Sequence, residues 1–189
     1  MQSDLFIKKA IRDIAHGDRN AIGVIYDCAY KQIYSVAWSV VKNREDAEDV
    51  SQETLCEILR CASSYRGGNA KAWVLAIARN RALDLVKKQS RLTLREDMAA
   101  QTELSCAKDA LEDEVICMDA LQTLGDTERE VVLLRVYCRC RHKEIAQILE
   151  ISVSASEKHY QRGLAKLKAY YQDKEEPYEA YPQTNQKHV

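Results

Sequence analysis

Only two prolines and six glycines interrupt the 189 residues, so the chain offers few places for sharp turns or helix breaks. Its apolar residues recur at helical rather than alternating spacing throughout, and it reads as all-α. No apolar run approaches the ~18 residues of a membrane span. Met1-Gln2-Ser3-Asp4 opens directly into an amphipathic pattern, so neither a membrane insertion nor a signal peptide is expected, and a cytoplasmic location is. The seven cysteines are odd in number and lack framework spacing, which argues for reduced thiols in a reducing compartment. Overall basicity, the usual mark of a nucleic-acid binder, is missing too: the formal net charge is -1.

That average hides a block pattern. Every ionisable residue from Glu45 to Glu57 is acidic (Glu45, Asp46, Glu48, Asp49, Glu53, Glu57), whereas between Arg66 and Arg95 eight basic residues accompany a single acid, Asp84. One face suits a basic protein surface and the other a phosphate backbone.

Four helices are expected first. They run from about Asp4 to Ala15, from near Asn20 to Asn43, from Glu45 to Ala62 and from Asn69 to Gln89, and they form a first domain over residues 1–91. Ile22, Ile25, Tyr26, Ala29, Ile33, Tyr34, Ala37, Trp38 and Val41 make the core stripe of the second. Ala47, Val50, Thr54, Leu55, Ile58 and Leu59 face inward on the third, and its leading acids suit the helix dipole. Gly67-Gly68 permits a sharp turn before the fourth. Residues 92–108 lose the apolar stripe and suggest a flexible linker. A second domain follows over 109–172, beginning with the stripe Leu111, Val115, Met118, Leu121 and Leu124. Gly125-Asp126-Thr127 stops that helix and caps the next, which reaches about Tyr137. Residues 173–189 hold too few apolar side chains to pack and read as a disordered tail.

Helices over His142–Leu149 and Val153 to about Tyr171, separated by Glu150-Ile151-Ser152, have the outline of a helix-turn-helix. Ile145, Ala146, Leu149, Ile151, Val153, Tyr160, Leu164 and Leu167 supply its buried side. Ser154, Ala155, Glu157, Lys158, His159, Gln161 and Arg162 project from the helix that would enter a major groove, flanked by Arg139, Arg141, Lys143, Lys166 and Lys168. A pair of short helices in a small bundle gives the same pattern. Cys138-Arg139-Cys140-Arg141-His142 lacks the ligand gaps usual for zinc and has no second ligand pair near in sequence, so exposed thiols at a helix end are expected and no metal.

Taken in order, Asp46-Ala47-Glu48-Asp49-Val50-Ser51-Gln52-Glu53-Thr54, Tyr65-Arg66-Gly67-Gly68, Trp73-Val74-Leu75-Ala76-Ile77-Ala78-Arg79-Asn80 with Asp84, Ala120-Leu121-Gln122-Thr123-Leu124 leading into Thr127-Glu128-Arg129-Glu130-Val131, and the helix-turn-helix closely resemble the extracytoplasmic-function (ECF) sigma factors of the sigma-70 family. The resemblance spans roughly residues 5 to 171, with the first domain corresponding to sigma region 2, the second to region 4 and the linker taking the place of region 3.

The resemblance implies a promoter-specificity subunit without enzymatic activity or cofactor. Asp46, Glu48, Asp49, Gln52 and Glu53, around an apolar centre of Val50 and Leu55, would dock on the clamp helices of the largest subunit of core RNA polymerase. Tyr65, Arg66, Asn69, Lys71, Arg79, Asn80, Lys87, Lys88 and Arg91 would open and hold the promoter -10 element, chemistry that needs a pocket for an unstacked base, a wedge and cations. Trp73, within the apolar stripe, reads as a packed core residue rather than a stacking platform. Ser154, Ala155, Glu157, Lys158, His159 and Arg162 would face the -35 element, with the same domain touching the flap of the second-largest subunit. An anti-sigma partner is implied as well. Glu150 stands where the family commonly has glycine, Leu124-Gly125 where Leu-Pro is frequent, and a buried Ser156 would weaken packing. A stand-alone helix-turn-helix regulator with a helical sensing domain is the alternative, and a metalloenzyme using Cys138, Cys140 and His142 a third.

Overall fold

The computed structural model describes residues 2–93 and 120–174. Among these the regular elements are all helical: α1 (Gln2–Ala15), α2 (Ile22–Val41), α3 (Arg44–Cys61), α4 (Ala70–Thr93), α5 (Asp126–Val136), α6 (His142–Leu149) and α7 (Val153–Lys174), with 3-10 turns at Arg19–Ala21 and Ala62–Ser64. Residues 120–122 are also helical.

Boundaries follow local chemistry. Asp18 accepts from the Asn20 amide and starts the turn into α2. Lys42 ends α2 in the left-handed region, at φ 58°, and Asn43 then caps α3 by accepting from the Asp46 amide. Asn43 therefore begins a helix rather than ending one. Asn69 caps α4 through the Ala72 amide at 2.8 Å, and Asp4 of α1 accepts from the Lys71 amide at 3.0 Å. The free amides at the start of α4 are satisfied partly by its own cap and partly across the fold. α4 continues to Thr93, into the segment expected as linker; residues 94–119, with Leu111, Val115 and Met118, lie outside the described residues. The expected tail likewise lies outside them beyond Lys174, where α7 ends.

α1 to α4 pack as one bundle. Ile25, Ala29, Ile33 and Val36 of α2, Ile58 of α3, and Val74, Leu75 and Ala78 of α4 are buried together with Ile7, Ile11 and Ile14 of α1. Tyr26, placed in that stripe from spacing, is about half exposed and stacks on Tyr30 instead. A smaller cluster of Ala37, Ala47, Val50 and Ala82 lets α2, α3 and α4 approach closely. The buried hydroxyls there, Ser39, Ser51 and Thr54, each donate to a carbonyl three or four residues back.

In the second domain α5 lies against α7 with Gly163 at the contact. A Cβ on Gly163 would come within 2.6 Å of Val132 Cγ2. This close approach turns the line Ser156, Tyr160, Gly163 and Leu167 toward α5 and α6. Val153 and Leu164, expected on the buried side, are left 42% and 40% exposed. Arg129 is buried, yet it donates to the carbonyls of Leu121 and Leu124 and to Asp126, so its charge closes off the preceding helical residues. No described helix is long and apolar enough to cross a membrane.

The two domains are in contact. α2 packs against α5 and α4 against α6, and one continuous apolar cluster includes Leu75 and Ala78 of the first domain and Leu134, Cys138 and Ile145 of the second.

Candidate functional site

Three surfaces carry the residues singled out in the sequence. On α3, Asp49, Gln52 and Glu53 are exposed, and neither Asp49 nor Glu53 is in an ion pair with another described residue. Asp46 is half-buried and accepts from Gln89 of α4 at 3.1 Å, while Glu48 meets Arg44 at 3.1 Å. Val50 does not belong to that face: it is 1% exposed and lies beneath it against Ala37 and Ala82. The spacing of the acids forces this, since Asp46, Asp49 and Glu53 share one side of the helix and Ala47, Val50, Thr54 and Ile58 the other. Leu55 is half-buried in the core.

The loop before α4 and α4 itself hold the second surface. Tyr65 stacks on Trp73 at 5.3 Å and donates its hydroxyl to the Gly68 carbonyl at 2.8 Å, bracing the Gly67-Gly68 turn, where both glycines have φ above 90°. Trp73 is half-buried and packs on the core, consistent with a structural rather than a stacking role. Arg66, Asn80, Lys87, Lys88 and Arg91 are exposed. The other polar members are engaged by the second domain. Arg79 Nε bonds Glu130 Oε2 at 2.5 Å, with side chains only 16% and 12% exposed. Asn69 Nδ2 donates to Glu144 at 2.8 Å, and Lys71 Nζ donates to the Cys138 carbonyl.

On α7 the third surface presents Ser154, Glu157, Lys158, Gln161 and Arg162 to solvent, with Ala155 and His159 half-buried. Ser152 accepts from the Ala155 amide at 3.1 Å and starts this helix. Glu150 takes the left-handed conformation at φ 57°, so the position commonly held by glycine is here held by a residue that favours it less. Ser156 is fully buried, but its hydroxyl is hydrogen-bonded to His142 Nδ1 at 2.9 Å; the bond offsets the weakening expected from its burial and ties α6 to α7. Of the flanking cations, Lys143 and Lys168 are exposed, whereas Lys166 bonds Glu128 at 2.6 Å and holds that carboxyl below its usual range.

Cys138 and Cys140 are buried, not exposed at a helix end. The chain leaves α5 through a turn with Arg139 at φ 54°, which tucks both thiols inward, and burial pushes both up, Cys140 to about 11. Among the described residues no group of three or more His, Cys, Asp or Glu side chains could hold a metal.

Comparison with known proteins agrees with this arrangement. The family model described as Sigma-70 region 2 matches residues 25–92, and that described as Sigma-70, region 4 matches residues 116–167. The ECF RNA polymerase sigma factor SigK of Mycobacterium ulcerans (strain Agy99) is 29% identical over 153 residues, covering 76% of this chain and 82% of that protein. SigK of Mycobacterium tuberculosis (strain ATCC 25177 / H37Ra) is 26% identical over 84% of this chain and 89% of its own length. Among solved structures, CnrH in complex with the cytosolic domain of CnrY superposes with a TM-score of 0.64 at 25% identity, over 90% of this chain and 98% of that one. The sigma factor RpoE of Bartonella quintana, solved with the anti-sigma factor NepR, shares the fold with a TM-score of 0.66 at 21% identity, over 78% of this chain and 94% of that one. Matches to both regions, in order, disfavour a stand-alone regulator. The chain belongs to the sigma-70 family, as an RNA polymerase sigma factor of the extracytoplasmic-function type.

Proposed function

We propose that the protein acts in the cytoplasm, without making or breaking covalent bonds, as a subunit that brings core RNA polymerase to a limited set of promoters and helps melt them. Its first domain, over residues 1–91, docks on the clamp helices of the largest subunit through Asp46, Glu48, Asp49, Gln52 and Glu53, with Val50 shaping the helix from beneath. Tyr65, Arg66, Asn69, Lys71, Arg79, Asn80, Lys87, Lys88 and Arg91 hold the opened -10 strands. Asn80, exposed and polar, contacts a flipped base. The second domain, over residues 109–172, lays α7 against the -35 element through Ser154, Ala155, Glu157, Lys158, His159 and Arg162, and touches the flap of the second-largest subunit. Residues 92–108 link the two. An anti-sigma protein is the expected inhibitor; the solved RpoE relative carries one.

The observation that most supports the reading is the exposed strip of Asp49, Gln52 and Glu53 beside an α4 whose cations concentrate at its far end. Electrostatic complementarity of this kind steers association and fixes register. Transcription by purified core polymerase with the protein, on a library of genomic promoter fragments, tests it. Promoter-dependent transcripts that vanish without the protein are expected, and no stimulation at any fragment overturns the reading.

A further inference from the structure

α1 lies ahead of the residues that the region 2 model matches, yet it packs against α4 and against the 3-10 turn Ala62–Ser64, the elements on either side of the Tyr65–Gly68 loop. Burial of Ile7, Ala10, Ile11 and Ile14 fixes its rotation. Asp4, Lys8 and Arg12, spaced by four, therefore run as one row along the helix, and both ends of the row are located beside the loop. Asp4 accepts from the Lys71 amide at 3.0 Å. At the other end Arg12 acts on Tyr65, whose hydroxyl is raised above its usual pKa by burial and by Asp4, with the Arg12 guanidinium opposing them. Lys9 carries the positive charge onto the outer face. Lys9 and Arg12 are exposed and Lys8 half-buried, and none of the three is in an ion pair with another described residue. The same outer face leaves Leu5 71% exposed and Phe6, the chain's single phenylalanine, 53% exposed. Residues three apart on a helix are neighbours, so the Phe6 ring lies beside Lys9. Cations for a backbone next to a ring on which a base can stack are what a single nucleic-acid strand requires, whereas an acidic peptide would use the cations and leave the ring idle.

We infer that the outer face of α1 continues the strand-binding surface: a DNA strand leaving the Tyr65–Gly68 loop passes over Arg12 and Lys9, which take its phosphates, and lays a base on Phe6. The inference rests on the reading of that loop and α4 as strand-binding. Arg66, exposed on the loop, leads into the same path. Phe6 and Arg12 are six residues apart, about 9 Å along the helix, so the phosphate and base contacts belong to one short stretch of strand.

Binding of the full chain to a fluorescent mixed-sequence single-stranded DNA oligonucleotide, measured against salt, tests this. Lys9→Gln/Arg12→Gln should weaken binding and flatten the salt slope by about 1.4, the value for two lost strand contacts. The charge-keeping exchange Lys9→Arg/Arg12→Lys should retain the wild-type slope. Phe6→Ala should lose roughly fivefold or more in affinity with the slope unchanged, because stacking releases no counterions. A control, Lys31→Gln/Arg44→Gln, removes two exposed cations from α2 and α3 and should behave as wild type. An α1 pair variant with the wild-type slope, a control that flattens as much, or Phe6→Ala at wild-type affinity overturns the inference. If Lys87→Gln/Lys88→Gln/Arg91→Gln flattens the slope in the same assay, the strand reading of α4 survives that failure. A wild-type chain that does not bind the oligonucleotide overturns both.

Discussion

Among the described residues three other than glycine hold left-handed backbone: Lys42 and Glu150, each closing a helix, and Arg139 in the turn after α5. Glu150 is the informative one, because its side chain has no hydrogen bond or ion pair among the described residues that would repay the strain of roughly 1 kcal/mol. Glu150→Gly should therefore raise stability by about 1 kcal/mol and the melting temperature by roughly 2–4 °C, read by calorimetry. A lower melting temperature would mean that the carboxylate holds the turn by a contact that its geometry hides. The buried thiols give a second residue-level expectation. Cys140 stays protonated to about 11 in the folded chain, above the ~8.5 of a free thiol, so the unfolded chain loses its proton first. Stability contributed by the buried thiol is fully present below pH ~8.5 and is lost as pH rises toward 11. Denaturant titrations at pH 8 and pH 10 should show the decline, and replacing Cys140 by Ser or Ala should shrink it; a flat profile would place the thiol in contact with water.

At the scale of the element, helix existence and order among the described residues were legible from spacing, and His142–Leu149 was legible to the residue. That helix is short and amphipathic between an arginine-rich turn and Glu150, so local signals bounded it on both sides. Several of the misses share one cause. Period-3.6 patterns say that a face is buried but not how deeply or at what rotation, which is set by the partner helix. Gly163 admits Val132 closely, and Val153 and Leu164 of α7 lie at the margin, while Ser156 is buried as expected. Val50, read both as an inward residue of α3 and as part of the apolar centre of the docking face, lies in the core. The far end of α4 is where spacing and structure agree, with Lys87, Lys88 and Arg91 exposed. Replacing all three by glutamine should weaken promoter binding and flatten its dependence on salt by up to about 2.7 in slope for a duplex. An unaltered slope would turn this end of α4 away from DNA.

At the scale of the whole molecule, the sequence suggested two domains on a linker, and nothing in one-dimensional pattern could reveal that they share a core. Contacts such as Arg79 with Glu130, 51 residues apart, or Asn69 with Glu144, 75 apart, leave no periodic trace. Cys138 and Cys140, read from the sequence as exposed thiols at a helix end, are buried in the apolar cluster that runs between the domains. Leu134 lies in the same cluster at 1% exposure. Leu134→Ala should destabilise the full chain by about 2–5 kcal/mol, measured by urea denaturation. A loss well below 1 kcal/mol would mean that this side chain packs far less tightly than its burial indicates.

The role proposed for the acidic strip of α3 is that of the handle by which polymerase takes hold of the protein. Equilibrium binding of the full chain to purified core RNA polymerase, wild type against Asp49→Lys/Glu53→Lys, tests it most directly. Because both side chains are exposed, the variant should fold as wild type by circular dichroism and lose binding by at least a hundredfold, roughly 2.7 kcal/mol. A folded variant that binds core polymerase as tightly as wild type would contradict it.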